Sequence, residues 1–255
     1  MRILSFIITI TIFLCSCESK TADDTSTTDL KTASWDQITT EANGQTVRMM
    51  MWQGDPFINR YMQDYVVPEV KERFNIELDI ASGQGTAIVQ GLMTEREAGK
   101  DESSLDLVWI NGETFFQLRQ IDALYGPFTD ALPNAKYIDF DNPFIGTDFQ
   151  QPIDGYECPW GNVQLALIYD TMRTPQPPRS MDAFAAYAKA HPGKLTIPTE
   201  FTGMTLLKSW LIALSGGPDA LKGPFDQEKY NRASASLWAY INEMRPFLWK
   251  QGKTF

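Results

Sequence analysis

Histidine and cysteine are scarce in this chain: one His, at 191, and three Cys among 255 residues. That shortage excludes a good deal. No Cys/His spacing for a structural zinc site and no Ser-His-Asp arrangement can be assembled, and His191, followed by Pro192 at an expected helix end, is where helix-dipole effects alone would place it. No phosphate-cradling P-loop is present either, so the motifs call for no cofactor and no resident metal. Basic surface is lacking as well. Lys and Arg number 22 against 32 Asp and Glu, a formal charge of −10, and no Lys/Arg cluster exists to neutralise phosphates or grip anionic lipid, which excludes nucleic acid as a partner. Long apolar runs are missing too: the run over residues 3–14 is too short to span a bilayer.

What is present begins at the N-terminus. Arg2, the apolar run and then Leu14-Cys15-Ser16-Cys17 form a secretory signal with a short basic start and a small-residue cleavage site. The quartet resembles the lipobox of bacterial lipoproteins, which implies that Cys17 becomes the lipidated N-terminus of an exported protein. Several acyl chains, at ~0.8 kcal/mol per buried methylene, hold a soluble domain at a membrane where one would not. Cys15 leaves with the signal, so Cys158 stands alone and no intrachain disulfide can form. Residues 18–45 read as a polar tether ending in a short helix over 35–42, capped by Ser34 and stopped by Asn43-Gly44. The whole chain is 43% hydrophobic and 12% aromatic, and what remains after the signal is enough for one large or two small domains.

From Thr46 onward the pattern alternates. Apolar strands are expected over 46–52, 76–81 and 105–110, each followed by a helix: a stripe over 58–74 kinked or broken by Pro68, a helix over 86–98, and one opening at 115. Strand and helix in turn with short loops give an α/β fold with a parallel sheet wrapped on both faces. All loops after the strands then share one edge, where ligands bind in such sheets. Those loops carry Trp52, Gly54 and Asp55; Gln84 and Gly85; and Asn111, Gly112 and Glu113. They are the candidate ligand-binding residues of the first half, the glycines giving sharp turns and close approach of backbone to a ligand.

The segments TVRMMMWQGDPFINRYM, EREAGK, LDLVWINGETF and PWGNVQLALIYD resemble the extracellular solute-binding lipoproteins of bacterial ABC importers, in their YnjB-like branch, which is similar to the thiamine-, polyamine- and iron-binding proteins. The resemblance implies a type II periplasmic-binding fold: two α/β lobes with mostly parallel sheets, joined by hinge strands and closing on a solute held in the interlobe cleft. It divides the chain into a signal (1–17), a tether (18–45), a first lobe (46–165) and a second lobe (166–255). It also implies an ABC permease as partner, a periplasmic or cell-surface location, and a monomer that is not an enzyme. In the second lobe the pattern predicts a crossing strand over 161–169, a helix over 182–190 capped by Ser180, a short strand over 195–198, and helices over 204–214 and 234–244. Trp160, Thr202 and Gly203 join the candidate site. A complete two-lobe fold returns its chain to the first lobe, and the residues after Met244 are too few for that; the second lobe is therefore expected to be incomplete, with helices 204–214 and 237–244 short of partners.

Two ligand chemistries compete. Trp52 and Trp160 near Asp55 and Glu113 suit a small organic cation or neutral solute, whereas helix N-termini after the glycine loops suit an anion; the first is favoured. The alternatives to solute capture are a carbohydrate-active enzyme using Asp55 and Glu113 as paired carboxylates, and a structural lipoprotein.

Overall fold

Residues 32–149, 151–161 and 165–253 are described in the computed structural model; Cys17 and the lipobox lie outside them. The described chain falls into two compact units that divide between Trp160 and Gly161.

The first unit opens with helix α1 (Trp35–Ala42), whose N-cap Ser34 forms a reciprocal capping box with Gln37. Strand β1 (Thr46–Met51) follows and becomes the centre of a three-stranded parallel sheet. Its neighbours are β2 (Glu77–Ser82), in register from Thr46 opposite Glu77 to Met51 opposite Ser82, and β3 (Leu107–Val108), which pairs with Met49 and Met50. Strand order is therefore β2-β1-β3. Six residues were expected in β3 and two pair as strand. Asp106 and Trp109 still donate backbone hydrogen bonds to Arg48 and Met50, so the ladder runs slightly past its regular part.

The expected stripe over 58–74 is α2 (Pro56–Tyr61), a π-helical turn (Met62–Val66) and α3 (Val67–Phe74). Proline lacks the N–H that an α-helix needs and crowds the preceding turn, and the wider π turn just before Pro68 accommodates it without ending the helix. Met62, Ile58 and Val66 pack with Met49, Met51, Leu78, Ile80 and Trp109 on one side of the sheet. Tyr61 and Tyr65, read as part of the same apolar stripe, are instead about half exposed. Helices α4 (Gly85–Glu97) and α5 (Gly112–Gln120) complete the unit and bury Ile88, Phe115 and Leu118. Glu95 ties the α4–β3 loop: it accepts from Ser103 Oγ at 2.9 Å and from the Ser104 N–H at 3.1 Å, and these bonds hold its carboxyl down to about 2. After α5 come irregular turns and a small antiparallel pair, β4 (Thr147–Asp148) with β5 (Gln151–Pro152).

The second unit is helical among its described residues: α6 (Met181–Ala190), α7 (Glu200–Leu214) and α8 (Gln227–Met244). Ser180 caps α6 as expected, accepting from the Ala183 N–H. Two expectations fail here. Of the strand predicted over 161–169, residues 165–169 pair with no strand and are exposed, Ile168 almost entirely; apolar alternation without a neighbouring ladder does not make a strand. Residues 195–198 are likewise not a strand, although Leu195 accepts a hydrogen bond from the Trp249 N–H at 2.7 Å. The two apolar helices find partners for part of their surface and lack them for another part, where Met204 and Trp238 are about half exposed. Leu206 and Trp210 of α7 bury against Leu237, Tyr240 and Met244 of α8 and Phe184, Ala185 and Ala188 of α6. Trp210 meets the rings of Phe184 and Tyr240 edge-on, each at 5.5 Å, and the Tyr240 hydroxyl donates to the Met181 carbonyl at 2.7 Å. Burial pushes that hydroxyl up to about 12.

Candidate functional site

A sheet ordered β2-β1-β3 changes winding direction between β1 and β3, and the carboxyl ends of those strands flank a crevice that no crossover helix fills. The loops after β1 and β3 border that switch point, and the loop after β2 ends on the same edge. Trp52, Gly54, Asp55, Gln84, Gly85, Asn111, Gly112 and Glu113 thus all lie at one edge of the first unit, each where a parallel sheet places it.

Their individual roles differ from one another. Trp52 is exposed and folds its indole back over its own loop: a Cβ on Gly54 would stand 2.2 Å from the ring. Asp55 caps α2, one carboxylate oxygen accepting from the N–H groups of Phe57 at 2.7 Å and Ile58 at 3.1 Å. Neither Gln84 nor Asn111 caps its helix through its side chain, so the N–H groups at the starts of α4 and α5 face the edge without that partner, and Glu113 lies in the first turn of α5. Gly85 and Gly112 serve close packing. A Cβ would meet Thr114 Oγ1 at 1.9 Å in the first case and Phe149 Cβ at 2.3 Å in the second, so α5 and the β4–β5 hairpin approach the edge only because these two positions are bare.

Trp160 is drawn into an array of rings. It lies 4.6 Å from Trp109, the residue just past β3, and edge-on to Tyr61 at 6.1 Å; Tyr61 in turn stacks on Tyr65 at 5.4 Å. Trp109, Tyr61 and Tyr65 were not among the residues singled out in the sequence. Tyr61 and Tyr65 are four apart on one helical stretch, a spacing read as core, and the contact of Tyr61 with Trp160 spans about a hundred residues that no local pattern links.

Two further acids belong to this neighbourhood. Glu157 precedes Trp160 by three residues, and Asp148 precedes Phe149, which packs on Gly112. Burial, reinforced by the charge of Asp148, pushes Glu157 up to about 8, and burial raises Asp148 to about 6. The Oε2 atom of Glu157 is buried with no hydrogen-bond partner. So is Oδ1 of Asn59, whose amide donates to the Gln53 carbonyl in the loop after β1 at 2.9 Å. A cavity of about 190 Å³ bordered by Phe115, Arg119, Gln151 and Asp154 sits farther along α5, away from the array. Among the described residues no group of three His, Cys, Asp or Glu is placed to hold a metal ion, and no helix is long and apolar enough to cross a membrane.

Thr202 and Gly203 belong to the second unit, in the first turn of α7. A Cβ on Gly203 would stand 1.8 Å from the Pro198 carbonyl oxygen, and Glu200, which begins the helix, has a left-handed φ of 61°. Gly203 therefore serves the tight entry into α7.

Comparison with known proteins adds the following. A family model described as bacterial extracellular solute-binding protein matches residues 65–254. Protein YnjB of Escherichia coli (strain K12) is 41% identical over 225 residues, a match covering 87% of this chain and 58% of that protein. The chain thus spans less than two thirds of that relative's length. A solved structure titled as that of the periplasmic binding protein P5PA is similar at 13% identity with a TM-score of 0.42, over 82% of this chain and 58% of that one.

Proposed function

Because the chain belongs to the bacterial extracellular solute-binding protein family, we propose that it captures a small organic solute, cationic or neutral, at the carboxyl edge of the β2-β1-β3 sheet and presents it to an ABC permease. The observation that carries this reading is the gathering of three βα loops on the carboxyl edge of one parallel sheet, two of them bordering its switch point. Trp52 and Trp160 offer exposed apolar faces, and Glu113 and its neighbours offer charge and polar contacts, the composition expected of a solute site. The type II two-lobe arrangement and export as a monomer tethered through lipid on Cys17 belong to the same proposal. Against the glycosidase alternative, Asp55 is occupied as a helix cap, where a catalytic carboxylate has to face substrate.

A thermal-shift screen of polyamines, thiamine, metal chelates, sugars and oxyanions tests capture. A solute present at 100 times its Kd adds about 2.7 kcal/mol to stability, and Trp52→Ala and Glu113→Ala are each expected to weaken its binding by about 1–3 kcal/mol. Wild-type affinity in both variants would show the site to be misplaced. Anchoring is tested separately: Cys17→Ser should incorporate no labelled fatty acid, and incorporation in that variant would refute lipidation there.

A further inference from the structure

Four rings at the edge, Tyr65, Tyr61, Trp160 and Trp109, form a continuous shelf, and three of them are unusually open for aromatics in mutual contact: Tyr61 is 47%, Tyr65 50% and Trp160 56% exposed. Rings in a core shield one another from water; these three stay about half open to it. Resting on the capture reading above, we propose that this shelf seats a quaternary or alkylated ammonium group, so that the solute is an organic cation.

Three observations converge on positive charge. Ring faces of Trp and Tyr carry negative quadrupole density and attract a cation within about 6 Å of the centroid. Among the described residues of this unit, Glu157 Oε2 and Asn59 Oδ1 are buried without partners; both are oxygens, and a cation beside such an atom compensates its lost hydration through charge even where it carries no N–H to donate. Both lie close along the chain to shelf residues: Asn59 is two residues from Tyr61, and Glu157 is three from Trp160, a reach of about 10 Å at most. The acids Asp148 and Glu157 sit in surroundings that resist their ionisation, and a neighbouring cation relieves that resistance. The opposing feature is the pair of helix starts at Gln84 and Asn111, whose N–H groups favour an anion. Glu113 in the first turn of α5 already provides negative charge at one of them.

Choline and its neutral isostere 3,3-dimethyl-1-butanol separate charge from shape. Titrated into the full chain and followed by tryptophan fluorescence, choline should quench, and the alcohol should bind at least tenfold more weakly. Trp160→Ala and Tyr61→Leu should each lower choline affinity tenfold or more, with melting temperatures near wild type because both side chains are already half exposed. Equal binding of choline and the alcohol, or undiminished choline binding in both variants, overturns the proposal. If glucose or phosphate binds instead, with affinity lost in Trp52→Ala or Glu113→Ala, the cation inference falls while capture stands. If none of these probes nor any solute of the screen binds, both fall.

Discussion

Glu157 is the acid farthest from ordinary solvent behaviour in the first unit, and its pH signature follows from that. Its folded-state value of about 8 exceeds the reference 4.5, so between those limits the folded protein holds a proton that the unfolded chain has released. Stability attributable to this group therefore falls as pH rises through that window and is flat on either side. Asp148, raised from 3.8 to about 6, acts in the same direction over a lower range. Melting temperatures measured from pH 4 to 9 should decline less steeply in Glu157→Gln than in wild type; identical slopes would show that Glu157 is not desolvated. Asp55 gives a second residue-scale prediction. As an N-cap it should tolerate Asn, while Asp55→Ala costs about 1 kcal/mol in denaturant unfolding. Loss of stability in Asp55→Asn equal to that in Asp55→Ala would contradict the capping role.

Elements were legible to the extent that their signals are local. Ser34 and Ser180 stand immediately before periodic apolar segments, and both cap the helices they announce. The β1 and β2 strands, and the glycine loops that end them, follow from short apolar runs and turn residues. Failures occurred where a distant partner decides the outcome. The run over 161–169 has the composition of a strand, yet its residues 165–169 join no ladder; β3 reads as six residues and finds pairing for two; Tyr61 and Tyr65 keep helical spacing yet are half exposed, and Tyr61 meets a Trp about a hundred residues away. Glu157 and Asp148 were invisible for the same reason, since it is burial in the folded chain, and not their local sequence, that desolvates them. The junction of the hairpin with α5 is testable. Gly112→Ala forces a Cβ against Phe149 and should cost about 1–3 kcal/mol, against a few tenths for Gly161→Ala, where a Cβ meets nothing within 4 Å. Equal effects would mean that α5 and the hairpin do not pack closely. In the second unit, Trp210→Ala removes the ring shared by α6, α7 and α8 and should cost about 3–5 kcal/mol in equilibrium unfolding. A cost under about 1 kcal/mol would show that the three helices do not share one core.

On the scale of the whole molecule, the first unit is an α/β sheet that gathers its chemistry on one edge, and the second is a helical unit with its own core. The chain belongs to the solute-binding family, and the topology of the β2-β1-β3 sheet is what suggests its carboxyl edge as the binding surface. The carboxyl edge of this sheet is the proposed seat of the solute. Amide hydrogen exchange on the full chain, with and without a solute found in the thermal-shift screen, tests it most directly. Bound solute should slow exchange in residues 52–55, 83–86, 109–113 and 157–160 while leaving α1 and the far ends of α4 and α5 unchanged. Slowing confined to other parts of the chain, with those four segments exchanging as before, would contradict it.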